Sequence, residues 1–180
     1  NKSNDLSSTY NQENVLIMVD AEGNLSTEDS VERAQSIENH YKWIDCAKRM
    51  GCHSIRVNLY GSNDEDTWKK SSIESLNMLC EYAQDFGVSV IVENHNGLSS
   101  NPEMLVQVLE SVDFNNCGSL PDFGNWCIEE DEKKRSEMYA LYAKGKAPSE
   151  DDIKSIGDIC IKKYDKYEGL ERILPYAKGV

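Results

Sequence analysis

Glu93 and Asp122 each stand at the end of an apolar run, the position from which a carboxylate can hold a metal ion or move a proton. Glu93 follows Val90, Ile91 and Val92, and Asp122 follows Leu120 and Pro121. A carboxylate that emerges where burial is high must be paired, protonated or metal-bound. For Glu93 the alternative to a metal is a salt bridge with Arg56 on the preceding strand. For Asp122 it is an Asx-type turn or a helix cap ahead of Gly124. His95, two residues after Glu93, shares its side of the chain; a ligand, a substrate contact and a plain loop imidazole are all open readings. Oxygen donors with an imidazole nearby suit Mg2+, Mn2+ or Co2+ better than an ion that prefers thiolates.

Other polar groups recur at the same kind of position. Asp20 closes the run VLIMVD (15–20), and Asn58 closes SIRVN (54–58). In the second run Ser54, Arg56 and Asn58 alternate with Ile55 and Val57, so the polar set shares one face and the apolar pair the other. The apolar face would pack on helices and the polar face would line a crevice or a barrel axis. A half-exposed edge strand would show the same alternation. Trp126 could wall a sugar pocket or simply pack, while His40 and His53 read as structural or exposed.

These residues need a scaffold, and the chain alternates strand with helix. The run 15–20 predicts a strand buried on both faces. Ser26 and Thr27 offer caps for a helix whose apolar face is Val31, Ala34, Ile37, Tyr41, Ile44, Ala47 and Met50, with Gly51 ending it. A strand at 54–58 and a loop at 61–67 come next, then a helix carrying Ile73, Leu76, Leu79, Ala83 and Phe86 that stops at Gly87. The third strand is 88–93. Ser100 and Glu103 have capping-box spacing, with Pro102 in the first turn of a helix presenting Leu105, Val108, Leu109 and Val112. The fourth strand spans about 117–122. A charged helical excursion occupies about 128–160: helix at 129–144, a break at 145–152, and helix at 153–164. A helix at 164–174 and the start of another strand at 177–180 complete the pattern. Such alternation implies a parallel sheet, either an open doubly wound one or a closed (β/α)8 barrel. A barrel usually takes about 250 residues, so the expectation is a single partial barrel over 1–180, incomplete at both ends.

Composition removes several classes of function. The 180 residues carry a net charge of −13, which repels a phosphate backbone, so no nucleic-acid partner is expected. No stretch approaches the roughly eighteen apolar residues of a membrane span, so no membrane partner is expected either. No strand is followed by a Gly-rich turn, which argues against a nicotinamide-dependent oxidoreductase. The six cysteines lack C-x-x-C or zinc-ligand spacing and are expected as reduced thiols. That expectation favours the cytoplasm. The polar residues 1–12 are no signal peptide, and the absence of an initial methionine fits a processed or missing N-terminus, which keeps export open.

VENHNG (92–97) and LPDFGNW (120–126), together with LIMVDAEGNL (16–25), ENHYKW (38–43), GCHSIRVN (51–58) and YAKGV (176–180), resemble the sugar phosphate isomerase/epimerase family with the xylose-isomerase-like TIM barrel. The resemblance covers nearly the whole chain apart from the excursion. It implies that 15–20 is the third barrel strand and that 177–180 begins the seventh, giving about strands 3 to 7. It implies one divalent ion (Mn2+, Mg2+, Co2+ or Zn2+) held by a Glu, an Asp, a His and a second Glu on successive strands. Glu93 and Asp122 match the first two. Where the His belongs the chain has Lys178 and Gly179, and the second Glu would lie beyond Val180. The implied activity is isomerisation or epimerisation of a sugar or sugar phosphate by proton transfer next to a carbonyl, with Glu93 as one base and His95, Asn58, Arg56 and Asp20 holding hydroxyls. A non-catalytic sugar-binding or structural barrel of the same fold is the alternative. The fold's endonuclease activity would want clustered metals and a basic groove, which three histidines and this charge do not provide. A homo-oligomer is compatible with the sequence, which does not fix the assembly.

Overall fold

The computed structural model of the chain describes residues 2–143 and 147–178. The expected break at 145–152 and strand at 177–180 therefore lie partly outside the described residues, as does Gly179.

Parallel strands β1 (Leu16–Met18), β2 (Ser54–Val57), β3 (Ser89–Glu93) and β4 (Cys117–Leu120) form one sheet in the order β1-β2-β3-β4. Helix α1 (Lys2–Thr9) precedes β1, and helices α2 (Ser30–Met50), α3 (Glu65–Gln84) and α4 (Pro102–Glu110) connect the strands. The helices pack in the same sequence, α2 on α3 and α3 on α4. Strand order without reversal is the winding of a barrel; a doubly wound sheet reverses at a switch point.

Alternation along the strands sorts the side chains. Ile55, Val57, Val90 and Val92 join Leu76, Leu79, Ala83, Leu105 and Val108 in one hydrophobic core. Each such fully buried aliphatic side chain contributes roughly 2 kcal/mol of transfer free energy. On the opposite face Arg56 lies beside Ile91, and Glu93 beside Leu120. Ser54, Arg56 and Asn58 are all buried. Strand β2 is thus an interior strand, and the edge-strand reading of its alternation is wrong. The edge is β1, where Met18 is 56% exposed. The expectation that 15–20 is buried on both faces fails because, among the described residues, β1 pairs on one side only, with β2. Ala177 bridges to Ser119 in parallel, and the Lys178 amide donates to the Ser119 carbonyl, so the chain runs alongside β4 at 177–178. Gly118 makes room for it, since a Cβ there would stand 2.7 Å from the Tyr176 carbonyl oxygen.

Several local expectations shift. Asp29, not Ser26 or Thr27, caps α2 by accepting from the Val31 and Glu32 amides; Ser26 instead bonds the Ser72 hydroxyl. Val31 is exposed, because it sits in the first turn before α2 reaches the sheet. Asn101, not Ser100, caps α4. Gly51 ends α2 at φ 76°, as a left-handed C-cap requires.

The excursion differs most. Its ends form an antiparallel ribbon, β5 (Cys127–Glu130) with β6 (Cys160–Lys163), flanking α5 (Glu132–Tyr142) and α6 (Glu150–Ile156). The helices expected at 129–144 and 153–164 each surrender their outer turns to this ribbon. Neither α5 nor α6 has a buried residue. Cys127 and Cys160 form a disulfide, with Cα atoms 5.7 Å apart, so the expectation of six reduced thiols is wrong. Cys46, Cys52, Cys80 and Cys117 are free. A hydrogen bond with Cys117, and then burial, push the Cys80 thiol up. Helix α7 (Lys166–Ile173) closes the chain against α4. Among the described residues no helix is long and apolar enough to cross a membrane.

Candidate active site

Parallel register carries Arg56 and Glu93 to neighbouring positions on the inner face, and a line of charge runs through them. Arg56 Nη1 donates to Asp20 Oδ1 at 2.6 Å, and the Asn58 amide donates to the same oxygen at 3.0 Å. Arg56 Nε lies 2.9 Å from Glu93 Oε2. Glu93 Oε1 is 3.0 Å from His95 Nδ1 and accepts from Asn125 Nδ2 at 3.2 Å. Arg56 and Glu93 are buried, whereas the Asp20 side chain is 67% exposed. The Arg56 hydrogen bond holds the Asp20 carboxyl below its usual range against a smaller opposing effect of burial, with help from the Arg56 charge and the Asn58 amide.

The predicted Glu93–Arg56 salt bridge therefore exists, but it leaves atoms open. Arg56 Nε, Glu93 Oε2, Asn58 Oδ1 and Ser54 Oγ are buried without a hydrogen-bond partner. The Nε and Oε2 atoms are close enough for ionic attraction, yet the N–H does not aim at the oxygen. Buried polar groups left in this state cost about 1–3 kcal/mol each unless a ligand completes them.

His95 Nδ1 has two neighbours, Glu93 Oε1 at 3.0 Å, which would accept its proton, and Asn125 Nδ2 at 3.1 Å, which would donate to it in the other tautomer. Tyr60 meets the ring edge-on at 6.0 Å. Burial, and then the negative charge of Asp20, push the Tyr60 phenol up. The loop that presents His95 turns through Asn96 (φ 61°, ψ 160°), a positive-φ extended conformation that is costly for a residue with a side chain, and then through Gly97 (φ 63°), which adopts positive φ freely.

Asp122 sits in the Asx turn that was its alternative reading: Oδ1 accepts from the Gly124 and Asn125 amides at 2.6 and 2.7 Å. The fully buried Asn94 ties this loop to β3. Its Nδ2 donates to the Asp122 and Asn125 carbonyls, and its Oδ1 accepts from the Asp122 amide at 2.7 Å. Among the described residues no group of three or more His, Cys, Asp or Glu side chains is arranged to hold a metal.

Thus the fold brings Asp20, Arg56, Asn58, Glu93 and His95 into one connected network and holds Asp122 at its border through Asn94. Sequence reasoning missed the parts played by Asn94, Asn125 and Tyr60. Their signal was weak: polar residues after strand ends, indistinguishable from ordinary loop residues. Trp126 packs, with its ring against Gly169 and its Nε1 donating to the Phe123 carbonyl. His40 is buried and His53 exposed, both away from the network.

Sequential parallel winding with polar groups gathered at the carboxyl ends of the strands defines a TIM-barrel scaffold. The chain belongs to the xylose isomerase-like TIM barrel family, whose profile matches residues 6–162. No curated protein sequence matches it significantly. Among solved structures it is similar to a xylose isomerase domain protein from Planctomyces limnophilus, with a TM-score of 0.65 and 16% identity over 98% of this chain and 55% of that one. It is also similar to a D-tagatose 3-epimerase-like protein (TM-score 0.61, 20% identity, 68% of this chain and 49% of that one). A third is the IOLI protein with a bound zinc atom (TM-score 0.57, 16% identity, 77% and 53%). The chain spans about half the length of these structures, and at such identities the likeness shows the fold alone.

Proposed function

We propose that the protein is a divalent-metal-dependent isomerase or epimerase of a sugar or sugar phosphate. The observation that carries this reading is Glu93: a buried carboxylate at the end of an interior strand, with one oxygen lacking a hydrogen bond. It is supported by the family and by the sugar-epimerase-like and zinc-bound proteins among the structures it resembles.

The residues present fit a metal in part. Glu93, through its open oxygen, and Asp122, at the network's border, would hold the ion; the remaining donors would come from outside the described residues. When bound, the ion supplies Lewis-acid polarisation of the substrate carbonyl. The chain's own groups do the rest. Glu93 takes a proton from the carbon next to that carbonyl, and the Arg56 charge beside it offsets the cost of holding a buried carboxylate. Asn58 Oδ1 accepts from a substrate hydroxyl. Asp20 and Arg56 hold further hydroxyls, and His95 presents Nε2 to one more.

A second reading has its own observation. The Arg56 pairing of Glu93 and the Asx turn of Asp122 would also serve a non-catalytic sugar-binding barrel. The two separate in D2O. With Mn2+ and a panel of ketopentoses and ketohexoses, the whole protein should wash deuterium into one substrate carbon, and Glu93→Gln should stop it. Exchange that persists in Glu93→Gln sinks the assignment of Glu93, and binding without exchange favours the second reading.

A further inference from the structure

The disulfide lies within two residues of the candidate site. Cys127 begins β5, and Asn125, just before it, contacts both Glu93 and His95 through its side-chain amide. The Asn125 carbonyl accepts from Asn94 and from Ser100, and β5 packs on the 3-10 turn Gly97–Ser100 that follows His95. The wall of the site on this side is therefore continuous with the ribbon that the disulfide closes.

Besides the disulfide, the ribbon is held by its own short ladder, which pairs Cys127 with Lys163, Glu129 with Lys162 and Glu130 with Cys160 and is broken by two register shifts. Helices α5 and α6, which it carries, bury no residue, so they add no core of their own. Backbone hydrogen bonds from Asp131 to Ile159 and from Tyr164 to Trp126 remain, along with the contact of Lys134 Nζ with the Asp158 carbonyl. Cys127 and Cys160 are both half-buried, within reach of a small thiol. Segments with few buried apolar contacts are those that open locally.

We propose that Cys127 and Cys160 form a redox latch on the candidate site: the disulfide keeps the β5–β6 ribbon closed and Asn125 seated on Glu93 and His95, and its reduction loosens that wall. Reduction by a dithiol breaks the S–S bond and delivers two electrons and two protons, leaving two protein thiols and the dithiol as its own disulfide. Re-oxidation by a small-molecule disulfide reverses the exchange and releases two small thiols. The latch is set where the surroundings are oxidising and released where they are reducing. It rests on the position of the site and not on the reaction proposed for it.

The test reads His95 and needs neither metal nor sugar. Carbethoxylation by diethyl pyrocarbonate is followed by peptide mass spectrometry in protein equilibrated with oxidised glutathione, in protein reduced with dithiothreitol and desalted, and in the Cys127→Ser/Cys160→Ser variant. The His95 rate should rise several-fold on reduction and equally in the variant, while exposed His53 keeps its rate. An unchanged His95 rate overturns the latch. So does a rise at His53 and buried His40 together with His95, since the loosening would then be global. Recovery of both cysteines as free thiols after the oxidising treatment overturns it as well.

Discussion

Arg56 Nε stands 2.9 Å from Glu93 Oε2 with both side chains buried, yet no hydrogen bond joins the two atoms. The contact is ionic attraction in a poorly solvated place, and each partner depends on the other to offset its burial. Arg56 has a second partner in Asp20, whereas among the described residues Glu93 has, besides Arg56, no Lys or Arg partner. Removing Arg56 therefore strands a charge, whereas neutralising Glu93 does not. Arg56→Met should lower unfolding free energy by about 3–5 kcal/mol in urea titrations, and Glu93→Gln by clearly less. Equal losses would contradict this ordering.

Asn94 stitches the end of β3 to the Asp122 loop with three hydrogen bonds of 2.7–3.0 Å. Asn94→Ala should cost about 1–3 kcal/mol and speed hydrogen exchange at the Asp122 amide. Asn94→Asp keeps the acceptor for that amide and loses the donor to both carbonyls, so its Asp122 amide should stay better protected than in the alanine variant.

His40 gives a pH signature away from the site. Its Nδ1–H donates to the Ser36 carbonyl, and burial holds its pKa below the ordinary 6.5, with the Lys42 charge lowering it further and the Ser36 bond and Glu22 opposing. A depressed folded-state value means the unfolded chain binds the proton first. The His40 contribution is then intact above about 6.5 and is lost as pH falls through the lower folded value. NMR titration should show the His40 ring protonating below the ordinary value of 6.5. Protonation at or above that value would refute it.

Gly169 lies against Trp126, and a Cβ there would come within 2.2–2.7 Å of the indole ring. The ring cannot retreat, because it is 1% exposed and bonded through Nε1 to the Phe123 carbonyl. Gly169→Ala should destabilise by at least about 1–3 kcal/mol, the usual cost of overpacking, and shift tryptophan emission to the red. A neutral melting temperature would show that α7 can move away.

How much of this could be read beforehand follows from range of interaction. The β2 and β3 strands and Glu93 were legible because strand period and burial write themselves into consecutive residues. Helix caps slipped by one to three residues because Ser26, Thr27 and Ser100 are as good caps as Asp29 and Asn101 until tertiary partners claim them. The Ser26 hydroxyl goes to Ser72 and the Ser100 hydroxyl to Asn125. The ribbon was misread as helix because CIEE and CIKK are short, charged and paired only with each other, across a separation of 33 residues for the cysteines. No local pattern reveals such a pairing. The Glu93 salt bridge and the Asp122 Asx turn were both foreseen as alternatives to metal ligation, and neither could be ranked without geometry.

Metal affinity of the whole protein tests the central claim most directly. Mn2+ titration followed by electron paramagnetic resonance should show one site, weakened by more than about 100-fold in both Glu93→Gln and Asp122→Asn, beyond the loss seen when only a supporting residue is removed. Wild-type affinity in both variants would contradict the assignment of Glu93 and Asp122 as ligands.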